Sequence, residues 1–190
     1  MDEIRETALP YRTKYAYEDY AKLPEGSPYQ LIGGELVLSP SPTADHHIIS
    51  IKLEHRIMGF LEENGLGILI HAPMDVYFNQ AESYQPDIIF IAREREEINE
   101  NTRINGAPDL VVEILSPSTA KDDLTTKFQT YAQYGVKEYW IIDPEDNSIK
   151  LYLQNEGRLA LSQVVHGHGL IESKVLAGFA VDADYLFRRR

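Results

Sequence analysis

Ala107-Pro108-Asp109-Leu110-Val111-Val112-Glu113-Ile114-Leu115 is the stretch whose reading decides the fold. From Leu110 to Leu115 the run is apolar on both faces, which predicts a central strand covered on both sides. Glu113 sits in the middle of it. A lone carboxylate in that position costs several kcal/mol to desolvate, so Glu113 must be paired, protonated or bound to a cation.

Working outward, the alternation of side chains along strands supplies a second acid. In the strand predicted over Pro86–Ala92, Asp87 shares a face with Ile89 and Ile91; in the Asp109–Leu115 strand, Asp109, Val111, Glu113 and Leu115 share another. If neighbouring strands present Asp87 and Glu113 on one side, two carboxylates converge at the end of a sheet. Downstream, a helix from about Asp122 to Tyr134 stops at Gly135, a common C-terminal signal. Its inward face is Leu124, Phe128, Tyr131 and Ala132, with Lys127 inside it. An inward lysine needs an acidic partner, and Glu113 is the natural one. Upstream, Asp45 is placed to cap a long helix running to about Asn64. At about 100° per residue, Ile49, Leu53, Ile57, Phe60 and Leu61 fill one arc, with Ile51 and Met58 at its edge. Lys52, His55, Arg56, Glu62 and Glu63 lie opposite. His47 and Glu54 fall inside the apolar arc and are expected to point toward the body of the protein.

The remaining elements follow from turn signals and periodicity. A short helix is expected over Tyr15–Leu23, then a strand over Gln30–Leu38 interrupted by Gly33-Gly34. Strands are expected at Gly67–Phe78 and Pro86–Ala92, forming a hairpin across Asn79–Gln85, followed by a charged excursion over Arg93–Arg103. After the second helix come strands at Lys137–Asp143, Ser148–Gln154, Arg158–His166 and Lys174–Phe179. This order predicts an α/β sandwich around one mixed sheet, closed by a C-terminal β-meander.

Composition narrows the function classes. The 190 residues suit a single domain over 1–190, with enough chain to bury a core without disulfides. Cysteine is absent, which excludes thiolate metal sites, redox chemistry and a disulfide framework. Met1-Asp2-Glu3-Ile4-Arg5 does not begin a signal peptide, and no apolar run reaches the roughly 20 residues of a bilayer span, so a cytoplasmic protein with no membrane partner is expected. The 30 acidic and 18 basic residues give a net charge of −12, which opposes non-specific attraction to nucleic acid. A nuclease can still confine positive charge to one cleft and bridge phosphate through metal ions. Arg93, Arg95, Arg103, Lys121 and Lys127 are the basic residues expected near the site; Arg188-Arg189-Arg190 reads as a solvated tail.

An inward helical Glu, a Pro-Asp strand, a Glu in the next apolar strand and then a Lys, in that order, resemble the PD-(D/E)xK nuclease superfamily. The surrounding text is more specific. Gln30-Leu31-Ile32-Gly33-Gly34-Glu35, Ser39-Pro40-Ser41-Pro42, His46-His47, Pro86-Asp87, Ala107 to Thr119, Asp123 with Lys127, and Tyr131 onward through Gly135 to Asp143-Pro144 are similar to the large bacterial family of putative restriction endonucleases of the Uma type. The likeness runs from about Tyr15 to Phe187, and the block from Ala107 to Pro144 carries most of it.

The resemblance implies a restriction-endonuclease-like fold. It also implies hydrolysis of DNA by a water activated on Mg²⁺ or Mn²⁺. The sequence leaves room for a homodimer, since nucleases that cut both strands often pair two sites about a two-fold axis. Asp87 and Glu113 would be the metal ligands, Lys127 the catalytic lysine, His47 and Glu54 helix-borne assistants and Glu35 a further acid. Leu115 stands where the superfamily places its lysine, and Gln30 and Gly33 stand where many relatives carry acids. The residues themselves leave other readings open. Glu113 and Lys127 alone can be a buried ion pair, and the chain can be an inactive binding module on a nuclease fold. Asp109 reads as a turn or capping acid, Glu35 as an exposed strand residue and His166-Gly167-His168-Gly169 as a turn. His47 reads equally as a helix cap, and Tyr131, Tyr139 and Trp140 as core.

Overall fold

The computed structural model describes residues 13–24, 26–117 and 120–188. In chain order the elements are α1 (Tyr17–Tyr20), β1 (Tyr29–Ile32), β2 (Glu35–Leu38), α2 (Ala44–Asn64), β3 (Gly67–His71), β4 (Val76–Asn79), β5 (Glu82–Tyr84) and β6 (Ile88–Ala92). After a 3-10 turn at Arg93–Ile98 come β7 (Ile104–Asn105), β8 (Leu110–Ile114), α3 (Ala120–Leu124), α4 (Thr126–Tyr134), β9 (Glu138–Asp143), β10 (Ser148–Asn155), β11 (Arg158–His166), β12 (Leu170–Glu172), β13 (Ala180–Asp182) and α5 (Ala183–Phe187). The segments Met1–Arg5, Ser118-Thr119 and Arg189-Arg190, read above from sequence, lie outside the described residues.

β8 is buried along its whole length and pairs on one side with β6, antiparallel, and on the other with β9, parallel. Around it stands a six-stranded sheet in the order β11-β10-β9-β8-β6-β3. Alternation sends Val112 and Ile114 to one face and Val111 to the other. On the first face they meet Ile49, Leu53, Ile57 and Leu61 of α2, together with Trp140 and Ile142. On the second, Val111 meets Ile89, Ile91, Tyr139 and Ile141 under Tyr131 and Ala132 of α4. Burying both faces explains why β8 is a continuous apolar run rather than an alternating one. This is the expected mixed α/β architecture with helices on the sheet, and β9-β10-β11 form the expected closing meander. Among the described residues no helix is long and apolar enough to cross a membrane.

Several elements differ in detail. The strands divide into the six-stranded sheet, a five-stranded sheet (β2-β1-β5-β4-β7) and a β12–β13 ribbon, instead of one sheet. Gly67–Phe78 splits into β3 and β4 because Pro73 has no N–H to continue a ladder. β3 then pairs with β6 as expected, while the turn after Asn79 closes a β4–β5 hairpin in the second sheet. Gln30–Leu38 is itself a hairpin, turned by Gly33 and Gly34 at positive φ. Thr43, not Asp45, caps α2 by accepting the His46 N–H. Of Tyr15–Leu23 only Tyr17–Tyr20 is helical. Asp122–Tyr134 is broken at Thr125, whose φ of −126° and ψ of −86° are not helical. Lys174–Phe179 is not a strand, since its first N–H groups, Lys174 and Val175, donate to the buried Glu138 carboxylate at 2.7 and 3.0 Å.

Candidate active site

Glu113 is 3 % exposed and has two hydrogen-bond partners that define the site. Lys127 Nζ donates to its Oε1 at 3.0 Å and the Tyr131 hydroxyl to the same oxygen at 2.6 Å. Lys127 is equally buried and lies 2.8 Å from Asp123 Oδ1, so one ammonium sits between two buried carboxylates. α4 brings Lys127 and Tyr131 to one face because they are four residues apart. Burial pushes the Glu113 carboxyl up to about 8; Lys127 opposes the rise, while Asp123 and Asp87 add to it. Burial pulls on Lys127 as well, but Glu113 and Asp123 outweigh it and hold its pKa above the ordinary lysine value.

Asp87 completes the cluster. Ile88 pairs with Val112 across β6 and β8, and one step further along that register Asp87 stands opposite Glu113. Directly opposed residues of an antiparallel pair have Cβ atoms about 5 Å apart. Asp87 Oδ2 accepts the Ile114 N–H at 2.7 Å and lies 3.1 Å from His46 Nε2. Asp87 therefore stands beside the Glu113–Lys127–Asp123 cluster and raises the Glu113 pKa from there. Asp87, Glu113 and Lys127 line a cleft of about 540 Å³, whose other wall carries His46, Ser50 and Glu54. Ser50 Oγ donates to Glu54 Oε1 at 2.6 Å. His46 Nδ1 is buried with no hydrogen-bond partner among the described residues. An unpaired buried acceptor costs about 1–3 kcal/mol, so its position calls for an explanation.

The fold thus brings Asp87, Glu113 and Lys127 together and sets Glu54 across the cleft. His47 lines the cleft too, but from its rim: it is exposed rather than inward, and His46 takes the inward place. The buried arc of α2 is narrower than the apolar residues of its sequence suggest. Ile51 and Met58 are 65 % and 43 % exposed, so the buried arc ends before His47, and at about 100° per residue His46 falls within about 20° of Leu53 and Ile57. That register was the available signal for His46. Asp123 and Tyr131 were also missed as partners, although each lies four residues from Lys127 on a helical pattern. Leu124, expected inward, is 46 % exposed because the break at Thr125 resets the helix phase.

Other expected acids and bases lie elsewhere. Asp109, fully buried, accepts from the Ala92 N–H at 2.8 Å, Arg95 at 2.9 Å and Lys137 at 2.7 Å. Burial alone would raise its pKa, but these three donors hold it below the usual carboxylate range. Glu35 is exposed and pairs with Lys14 at 3.2 Å. Arg93 and Arg95 follow β6 at the end remote from Asp87, and Arg103 stacks over Tyr17 and Tyr77. Of the basic residues expected near the site, Lys127 is the one that lines the cleft. His166 and His168 face each other across an exposed turn. Among the described residues no three His, Asp or Glu side chains form a ready-made cation-binding group, so the convergent unit is the Asp87–Glu113 pair.

Comparison with known proteins gives a family and a fold. The family model Uma2, described as "Putative restriction endonuclease", matches residues 17–184. An uncharacterized protein of Synechocystis sp., slr1290, is 25 % identical over 160 residues, covering 83 % of each chain. The crystal structure of a putative nuclease belonging to DUF820 from Anabaena variabilis superposes with a TM-score of 0.74 at 22 % identity, over 90 % of this chain and 97 % of that one. That last likeness is one of fold.

Proposed function

Because the chain belongs to the Uma2 family, within the restriction-endonuclease-like superfamily, we propose that it is a divalent-metal-dependent endonuclease hydrolysing DNA phosphodiester bonds by a metal-activated water, working as one domain over residues 1–190. The observation that carries this reading is the opposed pair Asp87 and Glu113 on the cleft wall with Lys127 buried beside it. The donors suit a hard cation. The bonds described above fall on Asp87 Oδ2 and Glu113 Oε1, which leaves Oδ1 and Oε2 for a ligand, and the local charge is negative in excess. Asp87 and Glu113 would hold Mg²⁺ or Mn²⁺, with water in the remaining positions.

When bound, the cation supplies neutralisation of phosphate charge and a more acidic water. The side chains do the rest. Lys127, kept charged by its two carboxylates, sets a fixed positive charge beside the pair, where charge grows on the phosphoryl oxygens. Asp123 and Tyr131 hold Lys127 and Glu113 in place. Glu54, steadied by Ser50, and His47 at the rim flank the substrate from α2. The reading extends to a homodimer in the cytoplasm, since two copies about a two-fold axis would set one site against each DNA strand. Cleavage of labelled DNA with Mg²⁺ or Mn²⁺ tests it: Glu113→Gln and Lys127→Ala are each expected to abolish activity, and unchanged rates in both would sink it.

One observation favours a second reading, a nucleic-acid- or protein-binding module on a nuclease fold without turnover. Glu113, Lys127, Asp123 and Tyr131 already pair with one another through protein groups alone. Mn²⁺ binding that depends on Asp87 and Glu113 separates the two readings, because the module has no need of it.

A further inference from the structure

His46 holds a nitrogen that the roles assigned above leave unused. Its side chain is 9 % exposed, and Nε2 lies 3.1 Å from Asp87 Oδ2. That oxygen also accepts the Ile114 N–H, so it faces Nε2 as an acceptor, and the contact favours the tautomer that carries its proton on Nε2. Nδ1 is then a lone-pair acceptor. It is buried and unpartnered among the described residues, on a side chain that lines the same cleft as Asp87 and Glu113. Ser50, one turn along α2, cannot serve it, because its hydroxyl proton is committed to Glu54. Buried acceptors in folded proteins are satisfied almost without exception, so the donor for Nδ1 comes from the cleft contents. A carboxylate that fixes one nitrogen of an imidazole lining a reaction space is the arrangement that orients hydroxyl nucleophiles.

Resting on the nuclease reading, we propose that His46 is a catalytic residue whose Nδ1 accepts a hydrogen bond from the water that attacks phosphorus. Asp87 fixes the tautomer and orientation of the ring. Asp87 then serves twice: Oδ2 aims His46, and Oδ1 is left for the cation. The nucleophile is aimed from α2, while Lys127 stabilises charge from α4 on the other side of the sheet.

Two substitutions separate the nitrogens. In His46→Gln the amide nitrogen reaches the place of Nε2, which preserves the donor to Asp87 and removes the Nδ1 acceptor. In His46→Asn the amide oxygen stands near Nδ1, which preserves an acceptor and removes the link to Asp87. Mn²⁺ titration by calorimetry, single-turnover cleavage of labelled DNA and RNA at saturating Mn²⁺, and ¹⁵N-histidine NMR of the wild type form the test. The NMR is expected to place the His46 proton on Nε2. His46→Gln should keep Mn²⁺ affinity within about threefold while its cleavage rate falls about 100-fold. His46→Asn should lose Mn²⁺ affinity and retain more of the rate per bound metal. A proton on Nδ1, or His46→Gln cleaving as fast as an active wild type, overturns the role of His46 and leaves the nuclease reading intact. A wild type that binds Mn²⁺ but cleaves neither nucleic acid overturns the nuclease reading and, with it, this role.

Discussion

Replacing Lys127 with methionine removes the one cation between Glu113 and Asp123, and its cost should depend strongly on pH. Lys127, Glu113 and Asp123 are 2 %, 3 % and 1 % exposed, so neither carboxylate can turn to water when the ammonium is lost. Breaking a buried ion pair by removing one partner costs about 3–5 kcal/mol. The folded protein can escape part of that cost by binding protons. Burial already pushes Glu113 up to about 8, so below that pH Glu113 holds its proton in both proteins, and the new titration is that of Asp123. Without Lys127, Asp123 is a buried acid whose folded pKa rises above its unfolded value of about 3.9. Between those two values the folded state binds one more proton than the unfolded state, so stability falls as pH rises, by about 1.4 kcal/mol per pH unit. Over that range the deficit of the variant relative to wild type should therefore grow steadily with pH. Adding Asp123→Asn to Lys127→Met should abolish that slope. Urea unfolding followed by the fluorescence of the single tryptophan, the buried Trp140, reads this directly. A Lys127→Met protein as stable as wild type near neutrality, or one whose deficit does not change with pH, would refute the reasoning.

Three further outcomes are expected. Asp109→Asn should lower stability near neutral pH by about 2 kcal/mol, below the full cost of a broken buried pair because Arg95 and Lys137 keep access to water. Since the folded pKa of Asp109 is depressed, its contribution is present above about pH 4 and lost as pH falls through the folded value, so wild type and variant should converge in acid melts. Mn²⁺ affinity should rise about tenfold per pH unit up to about pH 8 and then level off, because the cation must displace the proton that burial keeps on Glu113; calorimetry in buffers of different ionisation enthalpy counts that proton. Gly67→Ala should destabilise by about 3 kcal/mol in thermal melts, because φ is +149° and an added Cβ would lie 2.1 Å from the Ile91 carbonyl oxygen.

Glu113 and Lys127 were legible in the sequence because each breaks a strong local pattern. A carboxylate in a two-sided apolar strand and a lysine on an apolar helix face each need a partner, and each offers the other one. Asp87 was legible as a residue at a strand end, but its position opposite Glu113 depends on the β6–β8 register, which no single strand encodes. His46 was missed in favour of His47 because the width of a buried arc is set by what packs on the helix, and Ile51 and Met58 had widened it falsely. Leu124 was misplaced by the break at Thr125, which changes the helix phase without a proline or glycine to signal it. The division of the strands into two sheets hinges on Pro73, a residue visible in the sequence within a run whose apolar character argues for continuity. Asp109 shows the converse: a buried acid beside the same motif serves three structural donors, and only its partners distinguish it from Glu113.

The most direct measurement is calorimetric titration of Mn²⁺ into wild type, Asp87→Asn and Glu113→Gln near pH 8. A working Asp87–Glu113 site predicts saturable binding to the wild type, with affinity reduced at least about tenfold in each variant. Equal binding in all three proteins, or none to the wild type even with a phosphodiester oligonucleotide present, would contradict it.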